Sequence, residues 1–220
     1  MSSIEGSGLQ ESLLGSLQQT RQTQHDPGFS RQDSQNLLRS EGDAMSFSNY
    51  AQRLSEVDQE LQRSGNESAR QGFRSIVQEF AQNPDQADLD SLVQANASMD
   101  QEERVQMAAT AQNVLELEGR ETMREWSNQA SRLYSQDAQS GSSFVQASRN
   151  VLELSQNEQN QSRSAEQNLE GLMELSSRTE QSGEDQSLLQ EFLNDVQSAE
   201  DNDQLQGVYQ DYYQRVAEAA

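Results

Sequence analysis

The side chains that could do chemistry in this chain are almost all carboxylates. The sequence has 37 Asp and Glu residues, one histidine (His25), and neither cysteine nor lysine, because all 15 basic residues are arginine. Walker phosphate loops, kinases and Schiff-base enzymes all use a lysine amine. A multi-histidine zinc site and a Glu-x-x-His di-iron bundle each need more than one histidine. The residue inventory therefore argues against these classes of enzyme and metalloprotein.

Two further arrangements could use carboxylates. A pair of acids can catalyse glycoside hydrolysis, but aromatic residues that would grip a sugar make up only 5% of the chain. No acid lies in an apolar sequence context that would raise its pKa. Asp201-Asn202-Asp203 begins like a calcium loop and lacks the later Gly and Glu at the required spacing. We therefore expect no enzyme activity, no catalytic residue, no cofactor and no metal.

Charge and hydropathy limit the partners and the fold. The net charge is −22, whereas nucleic acids and anionic membrane surfaces attract clustered cations. No apolar run approaches the length of a membrane span. We expect neither nucleic-acid binding nor direct membrane insertion. Only 32% of the residues are hydrophobic, which indicates either a thin core, as in a helical bundle, or an acidic segment that is largely disordered and folds on binding.

From about Asp43 onward, the apolar residues recur with the spacing of a helix. The first apolar stripe has a 3-4-3-4 spacing and consists of Phe47, Tyr50, Leu54, Val57 and Leu61. Ser64-Gly65 predicts its end, and a second helix is expected to start near Asn66. Asn83-Pro84 predicts the start of a short third helix, because Asn caps helices and Pro suits the first helical position.

The segment 98–182 carries the string Asn-Val-Leu-Glu-Leu twice, at Asn113–Leu117 and Asn150–Leu154. Ser140-Gly141-Ser142-Ser143 lies between them and resembles a turn, so we expect a long antiparallel helical hairpin. Gly119 would be a stutter within the first arm. Trp126 lies in a stripe of apolar residues, which predicts a core position facing apolar residues of the return helix or of a neighbouring helix.

These patterns predict an all-α protein, an elongated helical bundle with a long antiparallel hairpin and coiled-coil-like packing. Residues 1–42 are expected to be mostly flexible and rich in Ser and Gln, and Ile4, Leu9, Leu13, Leu14 and Leu17 could form a short amphipathic helix there. We expect short helices over 43–97, the hairpin over 98–182, and C-terminal helices over 183–220 that pack on the bundle.

Three of the five tyrosines lie close together near the C-terminus. Leu205, Tyr209, Tyr212 and Val216 share one helical face, and Tyr213 lies about 100° around the helix from Tyr212. Tyrosine is enriched at interface centres. This defines a candidate interaction surface that consists of Phe192, Leu193, Tyr209, Tyr212 and Tyr213. The alternative is that this helix simply docks on the bundle and covers Leu189–Val196.

Three short stretches suggest a family. Phe29–Gln35, Ser46–Ala51 and Tyr134–Asp137 resemble the Ser/Gln-rich helical C-terminal region of TraG-type conjugation proteins. The resemblance is one of composition and rhythm over most of the chain, so no site residue carries over. It implies the periplasmic C-terminal part of an inner-membrane protein, which acts in mating-pair stabilisation or entry exclusion. The family's membrane-spanning N-terminal part has no counterpart here, which predicts a fragment if the match holds.

Three hypotheses about function follow. The first is a non-enzymatic helical protein–protein interaction domain of a conjugation or secretion apparatus, whose partner would be an envelope protein of another cell. The second is an effector or virion-delivered protein, whose lack of lysine would resist ubiquitin tagging after translocation. The third is an acidic, largely disordered segment that folds on binding. A homo-oligomer is compatible with each. The location would be periplasmic for a fragment of a larger membrane protein, and otherwise cytoplasmic or translocated, since Met1–Leu17 has no secretory pattern.

Overall fold

The computed structural model describes residues 50–82, 86–157, 165–181 and 186–219. In this part of the chain the regular structure is entirely helical, which confirms the all-α prediction. In chain order the helices are α1 (50–64), α2 (Glu67–Gln82), α3 (Gln86–Ser98), α4 (Gln101–Glu118), α5 (Arg120–Gln136), α6 (Ala138–Asn157), α7 (Ala165–Gln181), α8 (Gln186–Ser198) and α9 (Asn202–Ala219). No described helix is long and apolar enough to cross a bilayer.

Local signals end α1 and start α2 where the sequence predicted, and a further local signal starts α4. Gly65 has a φ of 74° between α1 and α2, a conformation that glycine adopts without strain. The side chain of Asn66 then accepts a hydrogen bond of 2.9 Å from the backbone N–H of Ala69, which caps α2. Asp100 and Glu103 form a reciprocal capping box at the start of α4.

The predicted hairpin is not confirmed, because the segment 98–182 contains four helices. Gly119 ends α4 with a φ of 91° and donates its N–H to the carbonyl of Leu115. The sequence predicted only a stutter at Gly119, and the structure has a break there. Asp137 makes a second break, and its carboxylate accepts hydrogen bonds from the backbone and hydroxyl of Ser140 at 2.8 and 2.7 Å. Asp137 is thus the N-cap of α6.

Gly141 has a different role from the one that the sequence suggested. It lies inside α6, so the expected turn at 140–143 is helical. A Cβ atom at this position would lie 2.3 Å from Cγ of Tyr134, which lies in the last turn of α5. The absence of a side chain therefore allows the start of α6 to pack under the Tyr134 ring.

The helices share one core. Helix α2 packs against α4, α3 against α5, and α6 against both α5 and α8, while α7 and α9 complete the C-terminal half. The approach of α2 to α4 is close enough to require glycine, since a Cβ on Gly72 would be 1.9 Å from the carbonyl oxygen of Ala108. Trp126 is fully buried against Phe144 of α6, with ring centroids 6.2 Å apart, which confirms its predicted core position.

Polar side chains supplement this thin core at the contact of α6 with α8. The amide of Gln190 donates to the hydroxyl of Ser140 at 2.7 Å. The amide of Asn150 donates to the carbonyls of Val196 and Ala199, each at 2.9 Å, and these carbonyls lie at the end of α8. Such bonds satisfy groups that the helix end would otherwise leave unpaired. Ser, Gln and Asn therefore hold helices together here as well as facing solvent.

Several sequence predictions fall outside the described residues. They are the flexible segment 1–42, with the short amphipathic helix suggested within it, and the cap at Asn83-Pro84.

Candidate functional site

The residues of the predicted C-terminal surface lie together, and four of the five are in the interior. Phe192, Leu193, Tyr209 and Tyr212 are each at most 1% exposed, whereas Tyr213 is half-buried. Because an interface residue must be accessible to its partner, these four do not form an open docking surface in this conformation. Their placement agrees with the alternative interpretation, in which α9 docks on the bundle and covers α8.

Aromatic contacts and hydroxyl groups hold α9 in place. The rings of Phe192 and Tyr212 are 5.0 Å apart, and the Tyr212 hydroxyl donates to the carboxylate of Asp195 at 2.9 Å. Burial and this bond to a carboxylate raise the pKa of the Tyr212 phenol. On the adjacent face, the Tyr213 hydroxyl donates to Glu174 of α7 at 2.6 Å. The tyrosines therefore bind α9 to two helices of its own chain.

A second polar centre fixes α9 against α7. Asn168 is fully buried, and its backbone carbonyl oxygen accepts a hydrogen bond of 2.7 Å from the hydroxyl of Tyr209. The side-chain N–H of Asn168 donates to the amide oxygen of Asn202 at 3.2 Å, and its amide oxygen accepts a hydrogen bond of 2.8 Å from the side chain of Gln206. Because buried amides must find partners, this arrangement favours one register of α9.

The described surface has a cleft between α1 and α3 that is better placed to bind a partner. Its volume is about 250 Å³. The apolar side chains of Leu54, Val57 and Val93 are buried and form the floor, whereas the charged side chains of Arg53 and Glu56 are exposed at the rim. The lining residues are Arg53, Leu54, Glu56, Val57, Glu60, Val93, Asn96, Ala97 and Arg104.

Polar contacts join α1 to the other wall at both ends of the cleft. At one end the hydroxyl of Tyr50 hydrogen-bonds Asp90. At the other end Arg104 forms an ion pair with Glu60, and donates to the carbonyls of Asn96 at 3.0 Å and Met99 at 2.8 Å. Arg104 thereby satisfies carbonyls at the end of α3. Both ends of the cleft are consequently fixed.

The side of α1 that faces α2 is held by a buried carboxylate. Asp58 is 2% exposed and accepts bonds from Arg74 at 2.8 and 2.9 Å and from Arg70 at 3.4 Å. Burial alone would raise the pKa of Asp58, but the bonds from Arg74 and Arg70 outweigh it, so the pKa lies below its ordinary value. This cluster fixes α1, and with it one wall of the cleft.

The cleft also carries exposed charged side chains. Its rim carries Arg53 and Glu56 on the exposed side of α1. Among the described residues, Arg53 forms no ion pair. The described residues also include no group of three or more His, Cys, Asp or Glu side chains that could hold a metal ion.

Sequence analysis did not find this cleft. The contacts that define it join residues 40 positions apart, Tyr50 and Asp90, and 44 positions apart, Glu60 and Arg104. Helical periodicity shows which face of a helix is buried and does not show which helices become neighbours. Arg53 had no sequence signal of its own.

Comparison with known proteins adds no identification. No protein-family model matches the chain, and neither a curated protein nor a solved structure matches it.

Proposed function

We propose that this protein is a non-enzymatic helical interaction domain of a conjugation or secretion apparatus. It acts in mating-pair stabilisation or entry exclusion, and it binds a protein in the envelope of another cell. The compositional resemblance described above supports the biological setting, which would be periplasmic. The observation that carries the proposal is the cleft between α1 and α3, with its apolar floor and charged rim.

The size of the cleft favours a protein partner. Sites for small molecules usually have volumes of about 300–1,000 Å³ and enclose most of the ligand, whereas this cleft has about 250 Å³. It has room for a large side chain that projects from a partner helix. A groove between two helices is also a common docking site for a third helix.

The test is site-specific photocrosslinking in cells that carry the transfer apparatus. A photoreactive residue replaces Ala97, which is exposed on the rim of the cleft, and in a control variant it replaces Ala217, which is exposed on α9. We expect position 97, and not position 217, to crosslink to an envelope protein when donor and recipient cells are mixed. Equal crosslinking at both positions, or none at either, would contradict the proposal.

The absence of lysine supports a second candidate, a protein translocated into a host cell. Ubiquitin is attached to lysine amines, and this chain has none. In a eukaryotic cytoplasm the protein should therefore be long-lived, and replacement of the exposed Arg63 by Lys should shorten its half-life while melting stays the same. Equal half-lives would count against this second candidate.

A further inference from the structure

We propose that the side chain that a partner inserts into the cleft between α1 and α3 is a tryptophan, whose indole N–H donates to the side-chain oxygen of Asn96. The inference rests on the proposed function, because it names the recognition chemistry of the same cleft. Three observations support it: a buried amide oxygen without a hydrogen bond, an apolar floor, and a lining whose charges balance.

Asn96 places a hydrogen-bond acceptor in the wall of the cleft. It is only 7% exposed and belongs to the lining of the cleft near the end of α3. Its side-chain N–H donates to the carbonyl of Leu92 at 2.8 Å, one turn earlier in the same helix. Among the described residues no donor binds the side-chain oxygen. Because buried polar groups are nearly always paired, we expect a ligand to supply the donor.

The floor of the cleft is suited to the body of an aromatic ring. The side chains of Leu54, Val57 and Val93 are buried, and Val93 lies one turn before Asn96 in α3. The cleft volume of about 250 Å³ has room for one large side chain. An aromatic side chain removes about 150–250 Å² of its own surface from water when it is buried. Most of the hydrophobic gain therefore comes from the ligand, and it is larger for a ring than for a short aliphatic side chain.

The charges of the lining favour a neutral donor over a cation. Two arginines and two glutamates line the cleft, namely Arg53, Arg104, Glu56 and Glu60, so their formal charges cancel. The guanidinium of Arg104 donates to the backbone carbonyl of Asn96 at 3.0 Å and pairs with Glu60. A lysine or arginine of the partner at the Asn96 side chain would therefore lie close to a like charge. An ionised carboxylate has no hydrogen to donate.

Among the neutral donors, the indole of tryptophan matches the site best. Its N–H is a donor and the ring has no acceptor, so the bond to Asn96 leaves no polar atom of the ring unpaired. A tyrosine hydroxyl would bring lone pairs that need a further donor. Arg53 is exposed at the rim on α1, and a guanidinium forms its strongest cation–π contacts with tryptophan. Tryptophan is also enriched among the residues that dominate binding at protein interfaces.

Titration of the isotopically labelled full-length protein with N-acetyltryptophanamide, followed by NMR, tests the inference. We expect the side-chain amide of Asn96 and the backbone amides of Val93 and Ala97 to shift saturably. The dissociation constant should lie in the approximately millimolar range, as for other ligands of this size. The analogue that is methylated on the indole nitrogen should bind at least about fivefold more weakly, because the buried oxygen of Asn96 then has no donor.

Two matched variants locate the bound ligand. Ala97→Trp should abolish the shifts, because its own side chain fills the cleft, whereas Ala217→Trp on α9 should leave them unchanged. Asn96→Leu removes the acceptor and should make the two ligands bind equally. Because Asn96→Leu also removes the bond to the carbonyl of Leu92, the comparison of the two ligands on the wild-type protein is the primary measurement and does not depend on this variant.

The outcomes separate this inference from the proposed function. Equal affinity of the wild-type protein for the two ligands, shifts confined to residues outside the cleft, or no shifts up to the solubility limit would each overturn the inference. If position 97 crosslinks to an envelope protein in that case, the proposed function stands with a different anchor side chain. Specific binding of N-acetyltryptophanamide without any crosslinking would contradict the proposed function and leave the indole site intact.

Discussion

The indole N–H of Trp126 donates a hydrogen bond of 2.8 Å to the hydroxyl oxygen of Ser148, and neither residue is exposed to solvent. The Ser148 hydroxyl donates in turn to the carbonyl of Phe144 at 2.8 Å. Ser148 thus provides the hydrogen-bond acceptor for the indole N–H of the only tryptophan of the chain, and this bond joins α5 to α6. Trp126 is consequently a reporter of this helix contact.

We expect Ser148→Ala to destabilise the protein by about 1–3 kcal/mol, because it leaves the buried indole N–H without a partner. Trp126→Ala should cost about 3–5 kcal/mol. Urea denaturation, followed by circular dichroism so that both variants have the same signal, measures these differences. A Ser148→Ala protein as stable as the wild type would contradict the hydrogen bond.

Two glycines provide a matched test of helix packing. Gly72→Ala places a Cβ against the backbone of α4, and we expect a loss of about 1–3 kcal/mol or more, as for other overpacked sites. In Gly207→Ala the new Cβ has no neighbour within 4 Å, and it should stabilise α9 by about 0.4–1 kcal/mol. Thermal melting of the two variants should therefore shift in opposite directions, and equal shifts would contradict the close approach of α2 to α4.

The sequence predicted the boundary between α1 and α2, because Ser64-Gly65 and Asn66 are local signals. The interruption of α4 at Gly119 and the role of Gly141 could not be predicted. A glycine within a helical pattern has the same sequence signal whether it breaks the helix or allows close packing, and only the neighbour, here Tyr134, decides. The sequence left two interpretations of the C-terminal tyrosines open for a related reason, since an amphipathic stripe such as Tyr209–Tyr212 does not reveal whether its partner is internal.

The Asp58 cluster should make stability depend on pH in the acidic range. The pKa of Asp58 is lowered in the folded protein from an ordinary value of 3.8. The ionised Asp58 carboxylate therefore contributes fully to the stability of the fold above about pH 5, and this contribution is lost as the pH falls through the folded-state pKa. Asp58→Asn should cost about 3–5 kcal/mol at pH 7, since it leaves Arg70 without its carboxylate.

The difference in the free energy of unfolding between the wild type and Asp58→Asn should consequently become smaller below about pH 4. Glu56→Gln, which changes an exposed carboxylate on the same helix, is the control and should change stability by no more than about 0.5 kcal/mol. Urea titrations at pH 7 and near pH 3.5 measure both quantities. A constant difference across this range would contradict the ion pairs of Asp58.

The two adjacent tyrosines of α9 should respond differently to truncation. Tyr212→Ala removes a fully buried ring and should cost about 3–5 kcal/mol. Tyr213→Ala removes a half-buried ring together with its hydrogen bond to Glu174, and a loss of about 1 kcal/mol is expected for that bond. Melting curves and light scattering of both variants check this. Unchanged melting of Tyr213→Ala together with a smaller oligomer would instead favour the interface role that the sequence suggested.

The most direct test of the proposed function is the frequency of conjugative transfer, or of its exclusion, when the cleft is filled. Ala97→Trp adds a large side chain at an exposed rim position, and Ala217→Trp makes the same change on α9. We predict that Ala97→Trp lowers the activity by about tenfold or more, equivalent to a loss of at least about 1.4 kcal/mol in partner binding. The melting temperature should be unchanged and Ala217→Trp should have no effect. Wild-type activity of a folded Ala97→Trp protein would contradict the account.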